Sequence, residues 1–283
     1  MSKGAILIAR NNGKLDYVKQ AVFLANRIQH YIDIPVSIIT EDVDYLKNEF
    51  DSSVFDHIIP LEFTSTTNNR MFFDGTLAYK TASFKNDIRD DVYNLSPYDE
   101  TLLLDTDYIV SNDLFKSCFD SKEDLMMFKE SYDVSKARDE TEFTYISNFS
   151  VEFYWATVVF FRKTPQNEIF FNLIKHIKDQ WNHYRRVYQI GSGLFRNDFA
   201  FSIAVHIMNG FELGNFASQL PGKHYYTIDK DILWSLIDDE MLFLVEKKDY
   251  LGEYHAIRTK GQSVHVMNKF SLERIISEGA EDE

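Results

Sequence analysis

Asp105 and Asp107 are the residues whose types and spacing point most directly to chemistry. They follow the turn Ser96-Pro97 and the apolar run Leu102-Leu103-Leu104. Two carboxylates one residue apart at a strand end can share one divalent cation, and a cation there can hold a diphosphate. Spacing alone is not specific, because Asp42/Asp44 and Asp229/Asp231 match it too. Context separates the pair. A continuous apolar run marks a strand buried on both faces. Ligands of open α/β sheets bind outside the carboxyl ends of such strands. Two acids delivered there are poorly solvated unless they meet a metal or other partners. The alternative is a turn carrying two solvated acids.

The elements that must position this pair are legible as a rhythm. Gly4 to Ala9 reads as a first strand and Arg10 to Gly13 as a turn. Asp16 caps a helix to about Tyr31, with Val18, Ala21, Val22, Ala25 and Ile28 on one face. Pro35 to Thr40 is a second strand, Asp44 to Phe50 a helix, and Phe55 to Leu61 a third strand. Phe63 to Phe73 reads as a polar loop and Thr76 to Asp91 as a helix. The fourth strand then carries Asp105 and Asp107. This alternation predicts an α/β domain with a mixed, mostly parallel central sheet flanked by helices. Further on, Val151 to Arg162 is a long apolar strand. Thr164-Pro165 opens a helix that extends to Tyr188, with Pro165 in its first turn. Ile190 to Gly193 is a loop, and Asp198 lies at or near the start of a helix through Met208. Met241 to Val245 and Ser263 to Val266 are late strands.

The 283 residues suffice for a sizeable core, and 45% hydrophobic with 15% aromatic content excludes disorder. No apolar run approaches a membrane span, and Met1 to Ala9 reads as a strand, not a signal peptide core. A single cysteine, Cys118, excludes an intrachain disulfide and a cysteine zinc cluster. Its apolar neighbours suggest packing. These features fit a reduced, cytoplasmic protein. The net charge of −14 disfavours a broad nucleic-acid or anionic-membrane footprint. The charge is uneven, however. Trp155 to Asn197 holds seven basic residues (Arg162, Lys163, Lys175, Lys178, Arg185, Arg186, Arg196) against Glu168 and Asp179, with aromatics interleaved. That stretch is either a solvated helix face or a surface for an anionic acceptor. The end, Ser277 to Glu283, reads as an acidic tail.

No Gly-x-Gly-x-x-Gly follows the first strand and no Gly-Lys-Ser/Thr loop occurs, which argues against dinucleotide dehydrogenases and P-loop NTPases. The order of strand, helix, strand ending in an acid, then Ser96 to Val110 with its Asp-x-Asp, resembles a GT-A nucleotide-sugar glycosyltransferase. The nearest pattern is that of family 8 and related bacterial and phage enzymes. Ser263-Val264-His265-Val266-Met267-Asn268-Lys269 fits the family's late metal histidine with its phosphate-binding lysine. Two motifs in the right order are more specific than either alone.

The resemblance implies a single GT-A domain over 1–283, with a nucleotide-binding half at 1–110, an acceptor half at 111–270 and a C-terminal helix and acidic tail at 271–283. It implies Mn²⁺ or Mg²⁺ on Asp105, Asp107 and His265, and a nucleotide-sugar donor, expected to be a UDP-sugar. Donor contacts would come from Ala9, Arg10, Asn11, Asp42, Lys80 (placed on the helix before the metal strand), Asp105, Thr106, Asn268 and Lys269. Asp198 matches the catalytic-site acid, although Phe199 replaces the glutamine that follows it in the family. Trp155 and Thr157 replace the family's Asn and Gly. Asp198 would act as base in an inverting reaction or orient the donor sugar in a retaining one. The acceptor is a glycan, lipid, protein, small molecule or, by the phage resemblance, hydroxymethylated DNA met by Lys175 to Arg196 in a host cytoplasm. Two other classes stay open: a haloacid-dehalogenase-like phosphatase, whose Asp-x-Asp lies nearer the chain start, and a non-catalytic sugar-nucleotide binding module.

Overall fold

The turn at Ser96-Pro97 sends the chain into a strand buried from Thr101 to Leu104, and the rest of the architecture is arranged around that strand. A computed structural model describes residues 1–62, 68–85, 87–136, 138, 144–147, 151–191 and 193–279. Its first half runs β1 (Lys3–Ala9), α1 (Tyr17–Ile32), β2 (Val36–Thr40), α2 (Val43–Glu49), β3 (His57–Pro60), β4 (Asn69–Phe73) and β5 (Tyr79–Ser83). A 3₁₀ turn at Arg89–Asp91, α3 (Val92–Leu95), β6 (Glu100–Leu104) and β7 (Tyr108–Ile109) follow. The second half runs α4 (Lys116–Asp120), β8 (Leu125–Phe128), β9 (Ser131–Asp133), β10 (Trp155–Arg162), α5 (Pro165–Asp179), α6 (Trp181–Val187) and α7 (Asn197–Met208). It ends with β11 (Ser218–Gln219), β12 (His224–Tyr226), β13 (Ile232–Ile237), β14 (Glu240–Lys247), β15 (Tyr250–Lys260), β16 (Val264–His265) and α8 (Lys269–Gly279).

A seven-stranded sheet in the order β11-β8-β10-β6-β1-β2-β3 forms the centre. β6, β1, β2 and β3 pair in parallel, while β10 is antiparallel to both β6 and β8. This is the mixed, mostly parallel α/β sheet the sequence implies. β1 and β6 therefore end at one edge, where the antiparallel β10 begins. A smaller sheet, β7-β16-β12-β9, lies beyond that edge, and β13-β14-β15 form a meander. The main core joins the central sheet to α1, α5 and α7, and a second cluster packs the meander against α8. No helix among the described residues is long and apolar enough to cross a membrane.

Local chemistry explains the helices that support the site. The Asp16 side chain accepts from the Lys19 N–H at 2.9 Å and caps α1. Val18, Ala21, Leu24, Ala25, Ile28 and Ile32 then bury one stripe. Thr164 caps α5 through Asn167 N–H, with Pro165 in the first turn.

Three expectations need correction. Thr76 to Asp91 is not one helix: β4 and β5 pair antiparallel, and among the described residues of the segment only Arg89–Asp91 coils. The turn between them carries Gly75 at φ 76, and Asp74 N–H bonds Ala78 C=O at 2.8 Å, so the segment closes on itself. The same hairpin replaces the second part of the Phe63 to Phe73 loop, while 63–67 lie outside the described residues, as do Asn86, Ser192 and the end of the acidic tail at 280–283. The helix from Pro165 to Tyr188 breaks at Gln180, which lets Trp181 bury its ring and donate Nε1–H to Gly193 C=O at 3.1 Å.

Tyr98 of the turn before β6 packs its ring on Gly4, and its hydroxyl lies 2.6 Å from Ser37 Oγ. A Cβ on Gly4 would sit 2.4 Å from that ring. Gly4→Ala is expected to destabilise the fold by about 1–3 kcal/mol through overpacking. Thermal denaturation reads this directly, and an unchanged midpoint would show that Tyr98 does not fix β1 against the turn.

Candidate active site

Asp105 leaves the sheet while still tied to it: its N–H donates to Thr157 C=O of β10 at 2.9 Å. The chain turns, with Tyr108 N–H bonding Asp105 C=O at 3.1 Å, and enters β7. β7 runs antiparallel to β16, Tyr108 opposite His265 and Ile109 opposite Val264. Val266 N–H closes the register on Asp107 C=O at 2.9 Å. The backbone thus carries His265 to the acid pair, and ligand atoms of Asp105, Asp107 and His265 lie within 4.8 Å of one another.

Each acid faces a cation. The Lys269 ammonium, at the start of α8, bonds Asp107, whose Oδ2 also lies 3.2 Å from His265 Nε2. Arg89 bonds Asp105 and reaches Thr157 C=O at 3.4 Å. His265 Nδ1 lies 3.5 Å from Thr157 Oγ1. Burial disfavours the Asp107 carboxylate, but Lys269 and His265 overcome it and hold its pKa well below the usual range. At Asp105 burial prevails over Arg89, and the pKa is raised. Two carboxylates and one imidazole form a donor set suited to Mn²⁺ or Mg²⁺, the nitrogen favouring Mn²⁺. The residues present fit such an ion.

The acids open into a cleft of about 180 Å³. Arg10, Arg70, Lys85, Arg89, Arg196 and Lys269 line it, against Asp105, Asp107 and Asp198. In a chain of net charge −14 the lining thus carries more basic than acidic side chains.

The other sequence-derived candidates divide. Thr106 and Arg10 line the cleft; Arg10 pairs with the buried Glu41 and with Asp87. Asp198 also lines it, on the first turn of α7. Its Oδ1 accepts from Ala156 N–H at 2.9 Å and its Oδ2 from Arg196 at 2.9 Å, so it ties α7 to β10 instead of capping its own helix. Ala9 is buried at the end of β1. Asn11 and Asp42 hold each other, Asn11 N–H donating to Asp42 Oδ2 at 2.8 Å, and neither lines the cleft. Asn268 is buried and caps α8, its Oδ1 accepting from Ser271 N–H at 3.0 Å. Lys80 is misplaced by the sequence reading: it lies on β5, not a helix, with its ammonium 4.8 Å from the Phe270 ring centroid and outside the cleft lining. The cation on Asp105 is Arg89, which sequence reasoning missed because a single 3₁₀ turn has no periodic signal. Arg70 and Lys85 were missed with the hairpin.

Two further groups are now explained. Lys178 pairs with Asp90 at 2.6 Å and Lys175 with Asp91 at 3.0 Å, so these lysines of the basic stretch are neutralised within the chain. Cys118 is buried and its thiol is pushed up to about 12, an inert packed group.

His224 is fully buried beside the site. It stacks on Tyr108 and Phe128, its ring centroid is 5.8 Å from that of His265, and neither nitrogen has a hydrogen-bond partner among the described residues. Burial, and then the neighbouring His265, push its pKa well below the ordinary histidine value. The unfolded chain takes up this proton below about pH 6.5 and the folded chain does not, so stability falls with decreasing pH by up to about 1.4 kcal/mol per pH unit. His224→Phe removes that term. The variant is expected to gain in melting temperature relative to the native chain as pH is lowered from about 7 to about 5, and a difference independent of pH would contradict the assignment.

No family model matches the sequence, and no curated protein matches it. Among solved structures the fold is similar to glycosyltransferases. One is GlyE of Streptococcus pneumoniae TIGR4, at 12% identity and TM-score 0.43, over 78% of this chain and 45% of that one. The chain thus spans less than half the length of GlyE. Another is the galactosyltransferase LgtC in complex with donor and acceptor sugar analogues, at 11% identity and TM-score 0.46, over 76% of this chain and 72% of that one.

Proposed function

We propose that the protein is a metal-dependent glycosyltransferase that moves a sugar from a nucleoside-diphosphate sugar, expected to be a UDP-sugar, to an acceptor hydroxyl. The observation that carries this reading is the charge arrangement: two acids and an imidazole converge within 4.8 Å in a cleft lined by six cations. That combination suits a polyanion carrying a divalent ion. Asp105, Asp107 and His265 would hold Mn²⁺ or Mg²⁺, which supplies Lewis-acid neutralisation of a departing diphosphate.

The chain's own residues fit the remaining tasks. Lys269 and Arg89 supply fixed positive charge where a leaving group gains negative charge. Arg10 at the end of β1, behind which Asn11 and Asp42 lock the loop, suits the nucleoside end. Asp198 is held by Ala156 N–H and Arg196 at the cleft wall, where a carboxylate takes a proton from an acceptor hydroxyl or orients the donor sugar. In this reading residues 1–110 bind the nucleotide and 111–270 the acceptor, within one domain. The pairing of Lys175 and Lys178 with Asp91 and Asp90 favours a small or glycan acceptor over a DNA duplex, which needs uncompensated cations along its backbone.

Thermal shift with UDP, GDP and ADP, each with and without Mn²⁺, tests the reading. At a ligand concentration of about one hundred times Kd, stabilisation of about 2.7 kcal/mol is expected for the matching nucleotide. The Mn²⁺-dependent part should vanish in Asp107→Asn, and Mn²⁺-dependent hydrolysis of a matching nucleotide sugar should separate an enzyme from a binding module. Absence of any nucleotide shift with Mn²⁺, together with absence of turnover, would overturn it.

A further inference from the structure

Five of the six cations lining the cleft face a carboxylate: Arg10 and Lys85 meet Glu41, Arg89 meets Asp105, Arg196 meets Asp198 and Lys269 meets Asp107. Arg70 is different. Among the described residues it makes neither a hydrogen bond nor an ion pair, although its charge acts across a longer distance on the half-buried Asp229 carboxylate. Its guanidinium carbon instead lies 5.5 Å from the ring centroids of both Phe72 and Phe84. Hairpin geometry creates this setting. Arg70 and Phe72 project from the same face of β4, Arg70 sits opposite Ala82, and Phe84 N–H bonds Asn68 C=O at 2.9 Å just beyond the strand end.

That face is anchored at the metal end of the cleft. Phe72 and Ala82 pack with Leu15 and Phe270, and Tyr17 and Phe84 border the cluster. Phe270 directly follows Lys269, so the contact that fixes the hairpin also brings it beside the cation on Asp107. The field of Arg70 reaches this region: burial and Asp107 push the Tyr17 phenol up, and Arg70 opposes them.

We propose that Arg70 is an anion receptor that contacts the diphosphate of the bound nucleotide from the hairpin side. The inference rests on the nucleoside-diphosphate reading given above. Two aromatic rings fix the guanidinium near their faces, and a planar fork of N–H donors matches a phosphate oxygen pair. Binding at Arg70 breaks no existing ion pair, whereas a ligand oxygen at any of the other five cations competes with a carboxylate. A guanidinium partly shielded by aromatic rings also attracts an oxyanion more strongly than one in open water.

Calorimetric titration of UDP, GDP and ADP in the presence of Mn²⁺ tests the assignment on the native chain, Arg70→Met and Arg70→Lys, with the neutral nucleoside of the tightest binder followed by ligand-observed NMR. Arg70→Met should weaken the diphosphate by about 10- to 100-fold, the loss of one charge-assisted contact, and leave the nucleoside unchanged. Arg70→Lys should restore part of the loss, keeping the charge without the fork. Equal diphosphate affinity in Arg70→Met and the native chain would overturn the proposal alone, as would an equal loss for nucleoside and diphosphate, the sign of a merely structural residue. Failure of the native chain to bind any of the three nucleotides would remove the functional reading and this proposal together.

Discussion

The pairing of β7 with β16 is the constraint on which the site depends. It is only two residues long on each strand, yet it joins Asp107 to His265 across 158 positions of sequence. Loop closure over that distance is entropically unfavourable, and two ladder pairs do not offset it. The pairing persists because both strands are buried: Tyr108, Ile109, Val264 and Val266 are each 1% exposed or less. The small sheet is a by-product of the apolar packing of the meander and α8 against β7, and the imidazole travels with it. Chemistry at this edge is therefore coupled to folding of the last third of the chain.

The electrostatics follow from the same burial. Asp107 is 3% exposed and Lys269 9%, and removing such ions from water costs several kcal/mol each before their attraction returns any of it. Buried ion pairs of this kind are weak sources of stability. Groups with strongly perturbed protonation in a cleft mark candidate functional sites. Around the cleft acid faces cation at five points, and in the proposed reading these charges would hold an ion and an anion together. Arg70 is the cation outside those pairings.

Legibility in the sequence tracked how much of each feature is local. Asp105 and Asp107 were readable because an apolar strand and its acids are contiguous, whereas His265 was singled out only by the family resemblance of Ser263 to Lys269, since a lone histidine carries no local signal. α1 was readable from its cap and its stripe. The hairpin was not. Tyr79 to Ser83 has one buried residue, Ala82, and takes its strand form from β4 and from α8 beneath it, which are non-local. Asp74-Gly75 was the available signal, a turn pair that favours hairpin closure. Arg89 was hidden for a different reason: it sits on a single 3₁₀ turn with no periodic signal, and that turn is held by the pairing of Asp90 and Asp91 with Lys178 and Lys175 of α5, which no window of sequence contains. Asp42 and Asn268 were identified as polar residues near the right elements, but their side-chain oxygens serve the loop after β1 and the start of α8.

In the proposed reading the acid pair and His265 act as one ligand set. Electron spin-echo spectroscopy of Mn²⁺ bound to the protein reads this directly, because a coordinated imidazole nitrogen modulates the echo. Modulation from one histidine nitrogen is expected, shifted by ¹⁵N-histidine labelling and lost in His265→Ala. Bound Mn²⁺ with no nitrogen coupling, or with a coupling that survives His265→Ala, would contradict it.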